Sequence, residues 1–173
     1  MALIVIDTSA VVAILFEEED QLRYAEAIEG ATTRLVSAVT RVELSFVIEG
    51  RKRAAGRERL ERFFALTGAE IVAVTPQQAS IAIGAFRSYG KGRHPAGLNI
   101  GDCFSYALAS ATGHPLLFKG NDFVHTDIRS ALTLSLAISC RVTSHINQDV
   151  ERGRADFCGI DPLPRPLQIA LGP

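Results

Sequence analysis

The sequence predicts an α/β fold, a parallel central sheet flanked by helices on both faces. Short apolar-rich runs recur along the chain, at residues 2–6, 34–38, 70–74 and 115–118. The first of them, ALIVI, is unbroken, the mark of a strand covered on both sides. Between the runs lie stretches with helical apolar spacing and capping signals, and strands alternating with helices imply crossover-connected parallel strands.

Taken in order, Ala2 to Ile6 is the first strand, and Ser9 is placed to cap a helix through AVVAILF. A second helix crosses DQLRYAEAIEGA, with Gly30 near its end. RLVSA is the second strand. TRVELSFVIEGRKRAAG reads as a helix opened by Thr40 or Ser37, and RERLERFFALTG as another, with Leu60, Phe63, Phe64 and Leu66 on its apolar side. EIVAV is the third strand, and Thr75-Pro76 starts the next helix, whose apolar stripe is Ala79, Ala82, Ile83, Phe86 and Tyr89. GKGRHPAGLN is a Gly/Pro-rich loop. NIGDCFSYALASATG is a capped helix ending at Gly113, and PLLF is the fourth strand. From about Thr133 the text changes. TLSLAISCRV reads as an extra strand or helix, and Pro162, Pro164 and Pro166 favour extended chain. Residues 1–132 are therefore expected to form the domain and 133–173 an appended extension.

The bulk numbers bound the function. At 173 residues the chain suits one compact domain plus a segment. A formal net charge of −1 argues against binding nucleic acid by bulk charge, while leaving room for local basic patches. Cys103, Cys140 and Cys158 form no CxxC pair and read as reduced thiols of a cytoplasmic protein. No basic leader precedes the first apolar run, and the apolar stretches at 10–16 and 131–140 are too short to span a bilayer, so neither signal peptide nor membrane span is expected.

Ligands of open parallel sheets bind at the carboxyl ends of the strands. Asp7 sits at such an end, although taken alone it reads as a cap or turn residue. Glu43 has Val39, Phe46 and Val47 at helical spacing, so it is expected on an apolar face, where an ionised carboxylate is costly without a cation or donor. Arg41 and Arg51 are the nearby cations, and neither stands at pairing spacing. Asp102 pairs with Asn99 as a capping box, and its place just beside the apolar stripe of Cys103, Phe104, Ala107, Leu108 and Ala111 leaves it able to serve a site as well. Asp122 follows PLLF after a turn, and Asp127 comes five residues later. Jointly, Asp7, Glu43, Asp102 and Asp122 are expected at one sheet edge. Four carboxylates crowd together only if some protonate or hard cations enter. Oxygen-only ligands select Mg²⁺ or Mn²⁺. His94, His114, His125 and His145 lack zinc-ligand spacing.

VIDTSA, VELSF, GDCFSYALA and LLFKGNDFVHTDI, in this order and at this spacing, resemble a PIN-domain ribonuclease, and more closely the VapC toxins of bacterial toxin–antitoxin pairs. The resemblance covers residues 1 to 130. It implies a PIN-like fold, with Asp7, Glu43, Asp102 and Asp122 as the acidic metal site. It also implies that Thr8 or Ser9 holds a water or phosphate and that Asn99 and Asp127 are supporting neighbours. The implied activity is Mg²⁺- or Mn²⁺-dependent endoribonuclease cleavage leaving a 5′-phosphate and a 3′-hydroxyl. The implied partners are an RNA substrate, a cognate VapB-like antitoxin covering the cleft, and a second copy in a homodimer. Nothing after residue 132 maps onto the family.

RNA must approach an acidic cleft. Lys91, Arg93 and Lys119 are the expected phosphate contacts; the basic run at 51–62 reads equally well as a solvated helix face. Rival readings fare worse. A haloacid dehalogenase phosphatase needs an acid where Ser9 stands. A receiver domain needs a phospho-accepting Asp after the third strand, which ends VAVTP. A PIN fold without activity, binding RNA or a partner, is the remaining alternative, and the intact acidic quartet speaks against it.

Overall fold

Four short strands, β1 (Ala2–Ile6), β2 (Ala31–Ser37), β3 (Glu70–Val72) and β4 (Leu116–Leu117), make one sheet in the order β3-β2-β1-β4. All neighbours are parallel: Val5 is opposite Leu35 on one side and Leu116 on the other, and Val36 is opposite Ile71. The computed structural model describes residues 2–132, so the extra element at TLSLAISCRV and the Pro-rich extension lie outside the described residues.

The helices are α1 (Thr8–Leu15), α2 (Gln21–Glu29), α3 (Ala38–Thr67), α4 (Pro76–Tyr89) and α5 (Ile100–Thr112), followed by a 3₁₀ turn at Phe123–His125. They cover both faces. Successive strand residues point to opposite sides, and Leu3 and Val5 join the core built with Ala82, Ala85, Cys103 and Ala107 of α4 and α5. Ile4 and Ile6 point the other way and are also buried, as are Val11, Ile14, Leu44 and Ile48 of α1 and α3. The α/β expectation is met.

Three details differ from the pattern reading. Residues 40–67 form one helix rather than two, running from Ser37, which caps Val39 N, to a left-handed Gly68. Gly50 and Gly56 each weaken a helix by about 1 kcal/mol. Leu44 and Ile48 before them and Leu60 and Phe63 after them are all buried, so both halves are anchored. The cap of α1 is Asp7 rather than Ser9: its Oδ2 accepts from Ser9 N at 2.9 Å. In α4, opened by a Thr75–Gln78 capping box, the buried residues are Gln78, Ala82 and Ala85. Ile83 and Phe86 face outward, over an apolar groove of about 640 Å³ shared with Ile100 and Phe104. Small residues let α4 approach α5 closely, so the large ones are left at the rim.

β1 and β4 flank the point where strand order reverses, the crevice in which parallel sheets place ligands. Asp7 N donates to Leu117 O there at 2.9 Å, locking the two strand ends together.

Candidate functional site

Asp7 leaves β1 at this crevice and is 2 % exposed. Its Oδ2 accepts from Ser9 N and from Ser9 Oγ at 2.6 Å. Ser9 Oγ in turn accepts from Lys119 N at 2.9 Å, so one hydroxyl ties Asp7 to the loop after β4. Asp7 Oδ1 is buried and has no hydrogen-bond partner among the described residues. A buried carboxylate oxygen left unsatisfied is costly, and a cation is one way to satisfy it.

Glu43, in the second turn of α3, turns its carboxylate to the start of α1, where Thr8 Oγ1 donates to Oε2 at 2.5 Å. Burial pushes its carboxyl above the usual range, Thr8 pulls it back, and the charge of Asp7 adds to the rise. The apolar face expected around Glu43 is not there, since Phe46 is 73 % exposed and the buried line of α3 runs through Thr40, Leu44 and Ile48. Nor does an arginine among the described residues pair with it. Arg41 pairs with Glu61 and stacks on Phe64, and Arg51 lies over Phe16.

Asp102 and Asn99 form the expected capping box of α5: Asp102 Oδ2 accepts from Asn99 N at 2.7 Å, and Asn99 Oδ1 accepts from Asp102 N at 3.0 Å. Burial first, and then the charges of Asp7, Asp122 and Glu43, together push the Asp102 carboxyl up to about 7 against the lowering effect of its bond from Asn99 N. Asp122 follows β4 on the exposed turn before the 3₁₀ element. The charges of the other three acids are thus all felt at Asp102. Asp127 is engaged elsewhere, accepting from Tyr106 OH at 2.7 Å and pinning its segment to α5. Buried Cys103 is pushed up to about 11, by burial and then by Asp102, which leaves it an inert thiol.

The donor set fits a hard divalent cation. All four side chains offer oxygen, the Asp7 Oδ1 atom lacks a partner, and the mutual repulsion at Asp102 calls for a proton or a metal. As the side chains stand, no three acidic, histidine or cysteine groups among the described residues close into a cage. Thr8, Ser9 and Asn99 each hold one acid in place, the first two through their hydroxyls.

Of the expected phosphate contacts, Lys91 and Arg93 are exposed on the loop after α4, with Arg93 over the Phe86 ring. Lys119 is placed differently. Its ammonium is bonded to Glu18 at 2.7 Å and Asp20 at 2.5 Å, and those two carboxylates hold it firmly charged. It clamps the α1–α2 connection to the β4 loop. In the basic run, Arg57 pairs with Glu49 and Arg59 with Glu17, which favours the helix-face reading.

A family model described as PIN domain matches residues 4–129. The chain belongs to the PIN-domain family. Within that family it is similar to VapC proteins. It is 51 % identical to the VapC ribonuclease Mb0640 of Mycobacterium bovis over 124 residues, 72 % of this chain and 95 % of that one. It is 45 % identical to ribonuclease VapC42 of Mycobacterium tuberculosis over 130 residues, 75 % of this chain and 99 % of that one. Among solved structures, VapC20 of Mycobacterium tuberculosis, described as a sarcin-ricin loop cleaving toxin, superposes with a TM-score of 0.60 at 14 % identity. That match covers 72 % of this chain and 95 % of VapC20. VapBC2 of Rickettsia felis, bound to a DNA fragment from its promoter, gives 0.57 at 16 % identity, covering 74 % and 96 %. At these identities the two structures speak for the PIN fold.

The pattern reading missed Gly101. A Cβ at this position would stand closer than 3.0 Å to both carboxylate oxygens of Glu43. The sequence held only a weak signal: glycine inside a helix is unfavourable, but Gly50 and Gly84 also stand in helices with open space around them.

Proposed function

We infer that this PIN-domain protein is a VapC-type endoribonuclease, the toxin member of a VapBC-type pair, hydrolysing RNA phosphodiester bonds at the acids Asp7, Glu43, Asp102 and Asp122. The observation that carries this reading is the convergence at Asp102, whose buried carboxyl is raised by all three other acids. The identity of 51 % to a VapC ribonuclease over most of that protein supports the same activity.

Mg²⁺ or Mn²⁺ is the proposed cofactor, and bound among these oxygens it would supply charge neutralisation and acidify a water. The chain's own residues do the rest. Asp7, fixed by Ser9, offers its unpartnered Oδ1 as a ligand. Thr8 aims Glu43, and Asn99 aims Asp102. Asp122, on its turn, is the one of the four acids that is exposed, and is proposed to meet the entering RNA backbone first. Lys91 and Arg93 are the proposed phosphate contacts, and Lys119 holds the loop that carries Asp122.

A VapB-like antitoxin is the proposed partner, in keeping with the VapBC2 complex whose toxin shares this fold. A homodimer belongs to the same proposal. Among the described residues no helix is long and apolar enough to cross a membrane.

The test is cleavage of a mixed RNA substrate by the purified protein with Mg²⁺ or Mn²⁺, followed by sequencing of the ends. Cleavage leaving 5′-phosphate and 3′-hydroxyl ends, lost with EDTA and in Asp102→Asn, is expected. Equal cleavage by Asp102→Asn would end the assignment.

A further inference from the structure

Gly101 is the second residue of α5, in regular helical conformation, so no backbone strain explains a glycine there. It is buried, and its neighbour in space is not the core but the carboxylate of Glu43, brought from α3. A Cβ would overlap both carboxylate oxygens and the carboxyl carbon. We propose that Gly101 is a positioning residue for Glu43. Its bare backbone forms the seat that lets the carboxylate lie against the first turn of α5, between Thr8 and the capping box of Asp102.

Two features make the seat matter. The positive end of the α5 dipole favours an anion at its first turn, which offsets part of the burial that raises Glu43. The far end of a glutamate is also the softest part of this contact. A methyl at position 101 therefore displaces the carboxylate instead of breaking the fold. Thr8 Oγ1 then loses its acceptor, and Glu43 leaves the reach of Asp7. The inference rests on the proposal that these acids hold a divalent cation, but the displacement itself does not.

The experiment compares wild type, Gly101→Ala, Glu43→Asp and the double variant by crystal structure without metal, by Mn²⁺ calorimetry and by thermal melting. Gly101→Ser is a second probe, since serine is accepted in the first turn of a helix. Gly101→Ala is expected to fold with a modestly lower melting temperature, to lose the Thr8–Glu43 hydrogen bond, and to bind Mn²⁺ at least tenfold more weakly. Aspartate is one methylene shorter and does not reach the seat. Adding Gly101→Ala to Glu43→Asp is therefore expected to cost no further Mn²⁺ affinity. An unmoved Glu43 carboxylate in the Gly101→Ala and Gly101→Ser structures overturns the proposal. So do reductions in Mn²⁺ affinity that simply multiply from the single variants to the double. Failure of wild type to bind Mn²⁺ overturns the metal reading instead, and the structures still decide the role of Gly101.

Discussion

Thr8 Oγ1 donates to Glu43 Oε2 at 2.5 Å, joining the first turn of α1 to α3 across 35 positions of sequence. This bond opposes the upward push that burial and the charge of Asp7 exert on the half-buried Glu43 carboxyl. A hydrogen bond to a charged group contributes about 1.5–3 kcal/mol. Thr8→Val keeps the shape and removes the donor. Cleavage and Mn²⁺ affinity are expected to fall about tenfold or more, with Thr8→Ser near wild type. Single-turnover rates on one defined RNA, read beside Mn²⁺ calorimetry, check this.

Asp7 has two separable jobs. Its Oδ2 caps α1 through Ser9, and its buried Oδ1 has no hydrogen-bond partner among the described residues. Asparagine keeps an oxygen for the cap and removes the charge. Asp7→Asn is therefore expected to melt close to wild type in the absence of metal and to lose all cleavage above background. Wild-type cleavage by this variant would show that Asp7 is not part of the chemistry.

Asp7, Asp102 and Asp122 were legible in the sequence because each sits beside a local landmark: the end of an apolar run, a capping box, a turn after PLLF. Glu43 was legible only as an acid in an awkward place. Its surroundings were misjudged because Val39, Phe46 and Val47 look apolar, while Thr40, Leu44 and Ile48 are what α3 buries. The Thr8 bond and the Gly101 seat depend on how α3 docks between α1 and α5, which no local pattern encodes. The same limit misplaced Ile83 and Phe86, whose helix buries Ala82, which the stripe contained, and Ala85, which it did not. It also made Lys119 look available, since Glu18 and Asp20 reach it across about a hundred residues of chain.

Metal-free protein should lose stability as pH rises. Asp102 has its carboxyl raised from 3.8 to about 7 by burial first and by Asp7, Asp122 and Glu43 in addition. Between those values the folded state holds a proton that the unfolded chain has released, so unfolding becomes easier with each step up in pH. The slope is at most about 1.4 kcal/mol per pH unit for one group. The loss is complete above the folded value. Asp102→Asn is expected to flatten this window. Mn²⁺ should raise the melting temperature more at pH 7.5 than at pH 5, where protons compete for the same oxygens. Denaturant melts across pH 4 to 8, with and without Mn²⁺, check both signs.

The basic side chains near the site should separate into two kinds. Lys91 and Arg93 are exposed, and neither forms an ion pair among the described residues. Lys119 is neutralised in place by two carboxylates. Removing one side chain that neutralises a phosphate reduces the slope of log affinity against log salt by about 0.7 for a single strand. In an Asp7→Asn background, which prevents cleavage during the measurement, Lys91→Ala and Arg93→Ala are each expected to flatten the slope by that amount. Lys119→Ala should leave the slope unchanged and lower the melting temperature instead, because Glu18 and Asp20 then repel each other beside the β4 loop. RNA affinities at four or five salt concentrations distinguish the two behaviours. A flattened slope for Lys119→Ala would mean that the clamp opens to hand its ammonium to the substrate.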